Sequence, residues 1–270
     1  MRIGFVTGYS PQEVELAARA GFDGLEISMR AAPAKPELQR MKEALARHGA
    51  AVLTVFHFEN YAAADAAAAR KARANFGRVC GAARALGTTV VTVNAWVPRD
   101  ASLEDKFAHY QRTFGRLAEV ARDQGCVIAI ENCPHGLCNI AWSPANWERM
   151  FNDLPTKTVG LEFDPSHLVW QGIDYAAALR RFGERVYAFH AKDTEILGDV
   201  LSRVGIHGSG WWRFRIPGYG DINWKRIFTI LADIHYRGDL IIEHEDPIFR
   251  GDRREEGLRL GLKLLRQFVM

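Results

Sequence analysis

The sequence has no apolar run approaching the ~20 residues that cross a bilayer, and none of its four cysteines forms a Cys-x-x-Cys pair. The first absence argues against a membrane partner. The second, with no leader-like stretch before the first apolar run, argues against a disulfide scaffold and predicts free thiols in a reducing cytoplasm. Block charge is missing too. Basic and acidic residues number 35 and 32 and are interspersed, so the net charge of +3 leaves no basic footprint for a nucleic acid. No Gly-x-Gly-x-x-Gly follows the first apolar run, which weakens a dinucleotide-binding reading. Cys133-x-His135-x-x-Cys138 has ligand-type residues but no fourth partner at a zinc spacing.

What is present is a repeat. Eight times, a short apolar or β-branched run is followed by a polar turn and a segment of helical period. The runs are Arg2–Val6, Gly24–Ser28, Ala51–Phe56, Thr89–Asn94, Val127–Glu131, Val159–Phe163, Val186–His190 and Leu240–Glu243. Helices are predicted to begin near Pro11, Pro36, Asp65, Ser102, Ser143, Asp174, Asn223 and Gly251, with Ser10, Ser102 and Ser143 as N-terminal caps. Gly21, Gly49, Gly87 and Gly125 stand where helix-terminating glycines do. Strict alternation argues for parallel strands covered by helices. Eight units with no remainder predict an α/β fold, a (β/α)8 TIM barrel forming a single domain over residues 1–270. The connection from Ala191 to Ile222, rich in Gly and Trp, is far longer than a barrel loop needs, which points to function.

Barrels of this kind build their sites at the C-terminal strand ends. The predicted strands reach Glu26, His57, Asn94, Glu131, Asp164 with His167, His190 with Lys192, and Glu243. Four consecutive strands that stop on a carboxylate or imidazole are hard to explain as packing, because buried charge is costly unless paired or metal-bound. Glu131, Asp164, His190 and Glu243 are therefore the predicted metal set. Oxygen and nitrogen donors without thiolate lean towards Mn²⁺, with Mg²⁺, Co²⁺ and Zn²⁺ also suited. His57, Asn94, Lys192, Arg215 and Trp96 are candidate substrate contacts, and further tryptophans in the same loops could cover the apolar face of a sugar. Lys192 reads equally well as an ion-pair partner of Glu162 or Asp193, and Glu26 as a structural carboxylate paired with an arginine.

Glu131, the run Phe163-Asp164-Pro165-Ser166-His167, His190-x-Lys192-Asp193, the segment from Arg215 to Trp224 and Glu243 together resemble the xylose-isomerase-like superfamily. Within it they are closest to the sugar phosphate isomerase/epimerase branch, with its ketose 3-epimerases, hydroxypyruvate isomerases and inosose dehydratases. The resemblance covers essentially the whole chain. It implies one divalent metal ion on the four residues, Glu131 and Glu243 serving also as acid and base, and His167 contacting substrate oxygen. The ketose 3-epimerases carry an arginine shortly after the metal histidine; six residues past His190 this chain has Ile196, leaving Arg213 or Arg215 as substitutes.

A metal beside two carboxylates suits proton abstraction next to a carbonyl through a metal-stabilised enediolate. Returning the proton to the opposite face epimerises, moving it to the neighbouring carbon isomerises, and expelling a β-hydroxyl dehydrates. The expected activity is thus a metal-dependent sugar isomerase or epimerase acting on a sugar or keto-sugar. The alternative is a lyase or dehydratase acting on inosose or a 3-keto-glycoside. An endonuclease IV-like nuclease is disfavoured: Asn94 stands where that family has a histidine, and its Asp-x-His pair is missing. A non-catalytic binding barrel would not need four metal ligands. The tryptophan-rich long loop leads us to expect a homo-dimer or tetramer.

Overall fold

The structure is a computed structural model that describes residues 1–61, 65–134 and 137–269. Among these, eight parallel strands close into a barrel: β1 (Ile3–Gly8), β2 (Gly24–Met29), β3 (Ala51–His57), β4 (Val90–Val93), β5 (Val127–Glu131), β6 (Val159–Phe163), β7 (Val186–His190) and β10 (Leu240–Ile242). The ring runs β1 to β7 in order, with β10 pairing β7 on one side and β1 on the other. The expected (β/α)8 TIM barrel is the observed architecture. Strands β5, β6 and β7 occupy the predicted residues. β10 stops at Ile242, one residue short, so Glu243 emerges just beyond the last ladder bond.

The helices are α1 (Pro11–Ala20), α2 (Lys35–His48), α3 (Ala66–Ala85), α4 (Leu103–Asp123), α5 (Pro144–Asp153), α6 (Ser166–Val169), α7 (Tyr175–Phe182), α8 (Gly198–Val204), α9 (Trp224–Asp233) and α10 (Arg254–Leu265). Ser102, Ser143, Asp65, Asp174 and Asn223 each accept a backbone N–H of the first turn, which explains why the helices start there. Ser10 differs. Its hydroxyl bonds the Gln12 side chain, and α1 starts on Pro11 without a side-chain cap. Gly21, Gly49, Gly87 and Gly125 all have positive φ at helix ends, as expected.

The main core lies between strands and helices. A separate small cluster, Leu53, Ala129, Ala188 and Ile241, is buried apart from it. Side chains two residues apart share a face. Ala129, Ala188 and Ile241 therefore point the same way as Glu131, His190 and Glu243, into the barrel. The lumen is apolar low down and ionisable at its C-terminal mouth, and that gradient positions the site.

The long connection after β7 is built, not structureless. β8 (Asp193–Ile196) and β9 (Trp212–Arg215) pair antiparallel, with α8 between them. Asp193 organises the return. Its carboxylate accepts from the backbone N–H of Gly218 (2.9 Å), Ile222 (3.1 Å) and Thr194 (2.9 Å) and from Trp224 Nε1 (2.8 Å). Gly220 must be glycine, because a Cβ there would lie 2.5 Å from the Thr194 carbonyl oxygen and would also collide with Asp193 Oδ1. Within the Gly218-Tyr219-Gly220 turn the Gly218 N–H is spent on Asp193 and the Tyr219 N–H on the Ile216 carbonyl (3.1 Å).

Candidate active site

Glu131 ends β5, Asp164 and His167 follow β6, and Glu243 follows β10. One donor atom from each of these four lies within 4.8 Å of the others. His190, at the end of β7, faces the same centre. Its Nδ1 is 3.4 Å from Glu243 Oε2, 3.6 Å from Glu131 Oε1 and 4.0 Å from Asp164 Oδ2. These gaps are too long for good hydrogen bonds, and His190 Nδ1 and Asp164 Oδ2 are buried without a hydrogen-bond partner. Donors sharing one small cation at about 2.0–2.2 Å sit about 3.0–3.5 Å apart. The unpartnered His190 Nδ1, with the Glu243 and Glu131 oxygens at nearly that spacing and Asp164 Oδ2 at 4.0 Å, fits a divalent cation.

The opposite edge of His190 explains its orientation. Nε2 lies 3.1 Å from Glu26 Oε1 and 3.2 Å from Glu162 Oε1. That places a proton on Nε2 and turns Nδ1 towards the centre. Glu26 is also bonded by the Thr54 hydroxyl, and Thr92 Oγ1 is 3.3 Å from Glu162 Oε1. Glu26 is therefore paired with a histidine, not with the arginine weighed from the sequence. Glu162 had no place in the predicted site. Its position two residues before Asp164, on the same pleat face, was the available signal.

Charge is uneven across the two levels. Burial alone would raise the Glu131 carboxyl, but the nearby His167 and His190 imidazoles hold it well below the usual range. Burial likewise opposes ionisation of Glu243, and Lys192 and His190 outweigh it, bringing it down to about 2. Glu162 is pushed well up by burial and by the neighbouring Glu26 charge. Burial works against the His190 charge, yet the surrounding carboxylates, Glu162 first, raise its pKa well above 6.5.

Lys192 is fully enclosed and provides the main counter-charge. Its Nζ contacts Glu243, lies 2.8 Å from Glu245 Oε2 and 3.2 Å from Asp164 Oδ2, and is 3.3 Å from His167 Nε2. Burial would strip its proton, but these carboxylates, Asp164 foremost, raise its pKa well above 10.5. Neither Glu162 nor Asp193, the partners weighed from the sequence, holds it.

A cavity of about 340 Å³ opens over this group. Of the predicted substrate contacts, Asn94 and Lys192 line it, together with His167. Asn94 donates to Glu131 Oε2 (3.0 Å), leaving Oε1 towards the centre, and its own Oδ1 is buried and unpartnered. Three predicted contacts are placed elsewhere. His57 is buried below the rim, where it meets Tyr61 Oη and the Arg30 carbonyl (3.2 Å). Trp96 packs against Phe58 beside the cavity. Arg215, only 8% exposed, is spent on Asp246 (2.8 Å) and Glu195 and ties the β8–β9 hairpin to the loop after β10. Arg213 is similarly bound to Glu195 (2.7 Å), so neither replaces the missing arginine.

Ser28, Phe56, Phe58, Phe214 and Glu245 also line the cavity and were not singled out from the sequence. Phe214 meets the His167 ring edge-on at 5.2 Å, and Lys192 Nζ lies 4.3 Å from its centroid. The tryptophans stand behind it: Trp170 stacks on Trp212 at 4.8 Å, and Trp212 abuts Phe214. They brace the aromatic wall without lining the cavity. His135, part of the Cys133–Cys138 run, lies outside the described residues. No helix is long and apolar enough to cross a membrane among the described residues.

The family model for the xylose isomerase-like TIM barrel matches residues 14–268. An inosose dehydratase of Clostridium perfringens is 28% identical over 151 residues, 53% of this chain and 49% of that protein. The chain thus spans about half the length of the curated relatives it matches. Two solved structures share the fold. A D-psicose 3-epimerase has a TM-score of 0.79 at 19% identity, covering 100% of this chain and 99% of that one. A 3-keto-D-glucoside 4-epimerase of E. coli has a TM-score of 0.78 at 18% identity, covering 99% of each.

Proposed function

The chain belongs to the xylose isomerase-like TIM barrel family, and from that premise we propose that it is a divalent-metal-dependent isomerase or epimerase of a keto-sugar. Glu131, Asp164, His190 and Glu243 would hold the ion, Mn²⁺ best matching three carboxylates and one imidazole. Bound there, the ion would polarise a substrate carbonyl and offset the negative charge developing on its oxygen.

The observation that carries this reading is the placing of two carboxylates, Glu131 and Glu243, around His190 Nδ1 (3.6 and 3.4 Å) at the floor of a cavity. Either carboxylate can take the proton next to the carbonyl. Delivery by the other to the opposite face would invert that carbon. His167 and Lys192 line the cavity, where either would donate to a substrate oxygen that takes the place of a present partner, and the unpartnered Asn94 Oδ1 is an acceptor for a hydroxyl. Phe56, Phe58 and Phe214 supply apolar surface for a sugar ring.

A lyase is the second reading, favoured by the inosose dehydratase relative. It shares proton removal and differs in that a β-hydroxyl leaves, for which Lys192 or His167 could supply the proton. The test is a panel of ketoses and inososes with Mn²⁺ in D₂O, followed by NMR. Deuterium entering one carbon beside the carbonyl supports the proposal, and an unsaturated product selects the lyase. Absence of exchange across the panel overturns both.

A further inference from the structure

The catalytic cavity is not closed on its β2–β3 side. It shares Ser28, Phe56 and Phe58 with a second hollow of about 420 Å³, whose other lining residues are Met29 and Arg30. Phe56 and Phe58 lie 6.2 Å apart with their planes 23° from parallel, and Trp96 closes on Phe58 edge-first at 6.0 Å. Phe58 is 41% exposed despite these neighbours. The Arg30 guanidinium sits 5.5 Å from the Phe58 centroid. Among the described residues, no carboxylate lies within 4 Å of Arg30.

The shelf is rigid underneath. Asn75 Nδ2 donates to the Arg30 carbonyl at 2.6 Å, His57 Nε2 lies 3.2 Å from the same oxygen, and the other side of His57 is held by Tyr61. The buried His57 therefore anchors the loop that carries Arg30. The shelf is a pre-shaped surface of one exposed ring, Phe58, and one half-buried ring, Phe56, with one guanidinium free of carboxylate among the described residues, continuous with a sugar-sized cavity. An isolated small ketose would leave it empty.

We propose that this shelf is a subsite for a planar aromatic substituent, so that the substrate is an aryl keto-glycoside with its sugar over Glu131 and Glu243 and its aglycone on Phe56, Phe58 and Arg30. The inference rests on the keto-sugar reading of the cavity. Rings stack on such a surface with offset or edge contacts, and the guanidinium covers a π-face or a phenolic oxygen.

Calorimetric titration in Mn²⁺ with 4-nitrophenyl β-D-glucopyranoside and methyl β-D-glucopyranoside tests it. The aryl glucoside is expected to bind about tenfold more tightly, the gain from covering one ring with two others. In Phe58→Ala that ratio should collapse towards one, and Arg30→Ala, at an exposed position, should lower it by about threefold. Equal affinity of the two glucosides for the wild type, undetectable binding of both included, overturns the subsite, as does a ratio unmoved in both variants. Deuterium exchange into a short free ketose, measured on the same wild-type protein, reads the enolisation separately. Exchange without aryl preference removes only the subsite, whereas aryl preference without exchange in any keto-sugar removes the chemistry.

Discussion

Glu131 and Glu162 are register partners on adjacent strands, and their carboxyls are driven in opposite directions. Glu131 faces two imidazoles at the mouth and stays ionised. Glu162 faces Glu26 in the dry interior, where burial and the neighbouring carboxylate oppose its ionisation. Environments that separate two neighbouring carboxyls assign them different work: one suits a base and ligand, the other a support beneath His190.

Replacing either proposed base, Glu131→Gln or Glu243→Gln, should slow solvent-deuterium exchange by at least about 10². Metal content measured beside the rate separates lost ligation from lost proton transfer. Exchange near the wild-type rate in either variant would remove that residue from the chemistry.

Glu26 sets the face that His190 presents. Glu26→Ala should weaken Mn²⁺ binding about 10–100-fold, the usual cost of losing an outer partner of a ligating histidine. Glu26→Gln, which keeps an acceptor for Nε2, should lose less. Titration of Mn²⁺ by electron paramagnetic resonance reads both, and equal affinities in all three proteins would contradict the hydrogen-bond argument.

The two levels predict opposite pH behaviour. Glu243 is lowered to about 2 from an ordinary 4.5, so its stabilisation is complete above pH 4.5 and fades as pH falls from there towards 2. Glu162 is raised, so its contribution is favourable below 4.5 and turns against the fold as pH rises and the unfolded chain ionises. In chelator-treated protein, Glu162→Gln should melt higher than wild type at pH 7.5, with the gain disappearing below pH 4.5. A lower melting temperature at pH 7.5 would show that Glu162 is needed as a carboxylate.

Arg215→Ala should cost about 3 kcal/mol, the lower end of the range for breaking a buried pair, because it strands the fully buried Asp246. Chemical denaturation measures the loss. Limited proteolysis should then cut within residues 197–211, the segment between the hairpin strands. Unchanged stability would mean the tie is solvated.

Local pattern made the barrel readable. Apolar runs, turn glycines and helix caps are each decided by neighbours in the chain, and eight repeats leave little choice of architecture. Glu131, Asp164, His190 and Glu243 stand out as candidates for a related reason: a charged residue at the end of an apolar strand is anomalous without any contact being known. His167, Asn94 and Lys192 follow from the same rule. His57 and Arg215 show where that rule stops. Both stand in the expected places, but a side chain's direction depends on which partner reaches it: His57 is held by Tyr61 and the Arg30 carbonyl, Arg215 by Glu195 and Asp246.

The sequence by itself determined the alternation, the closure into eight units and the identity of the polar strand ends, because each depends on spacing along the chain. Only the tertiary structure decided that Glu26 would meet His190 across 164 residues, that Lys192 would join Asp164, Glu243 and Glu245, and that Phe56 and Phe58 would open a second hollow beside the first. These depend on strand register and on the pleat that turns alternate side chains inward. Register is set by the packing of the whole ring, so it is invisible to any one segment read alone.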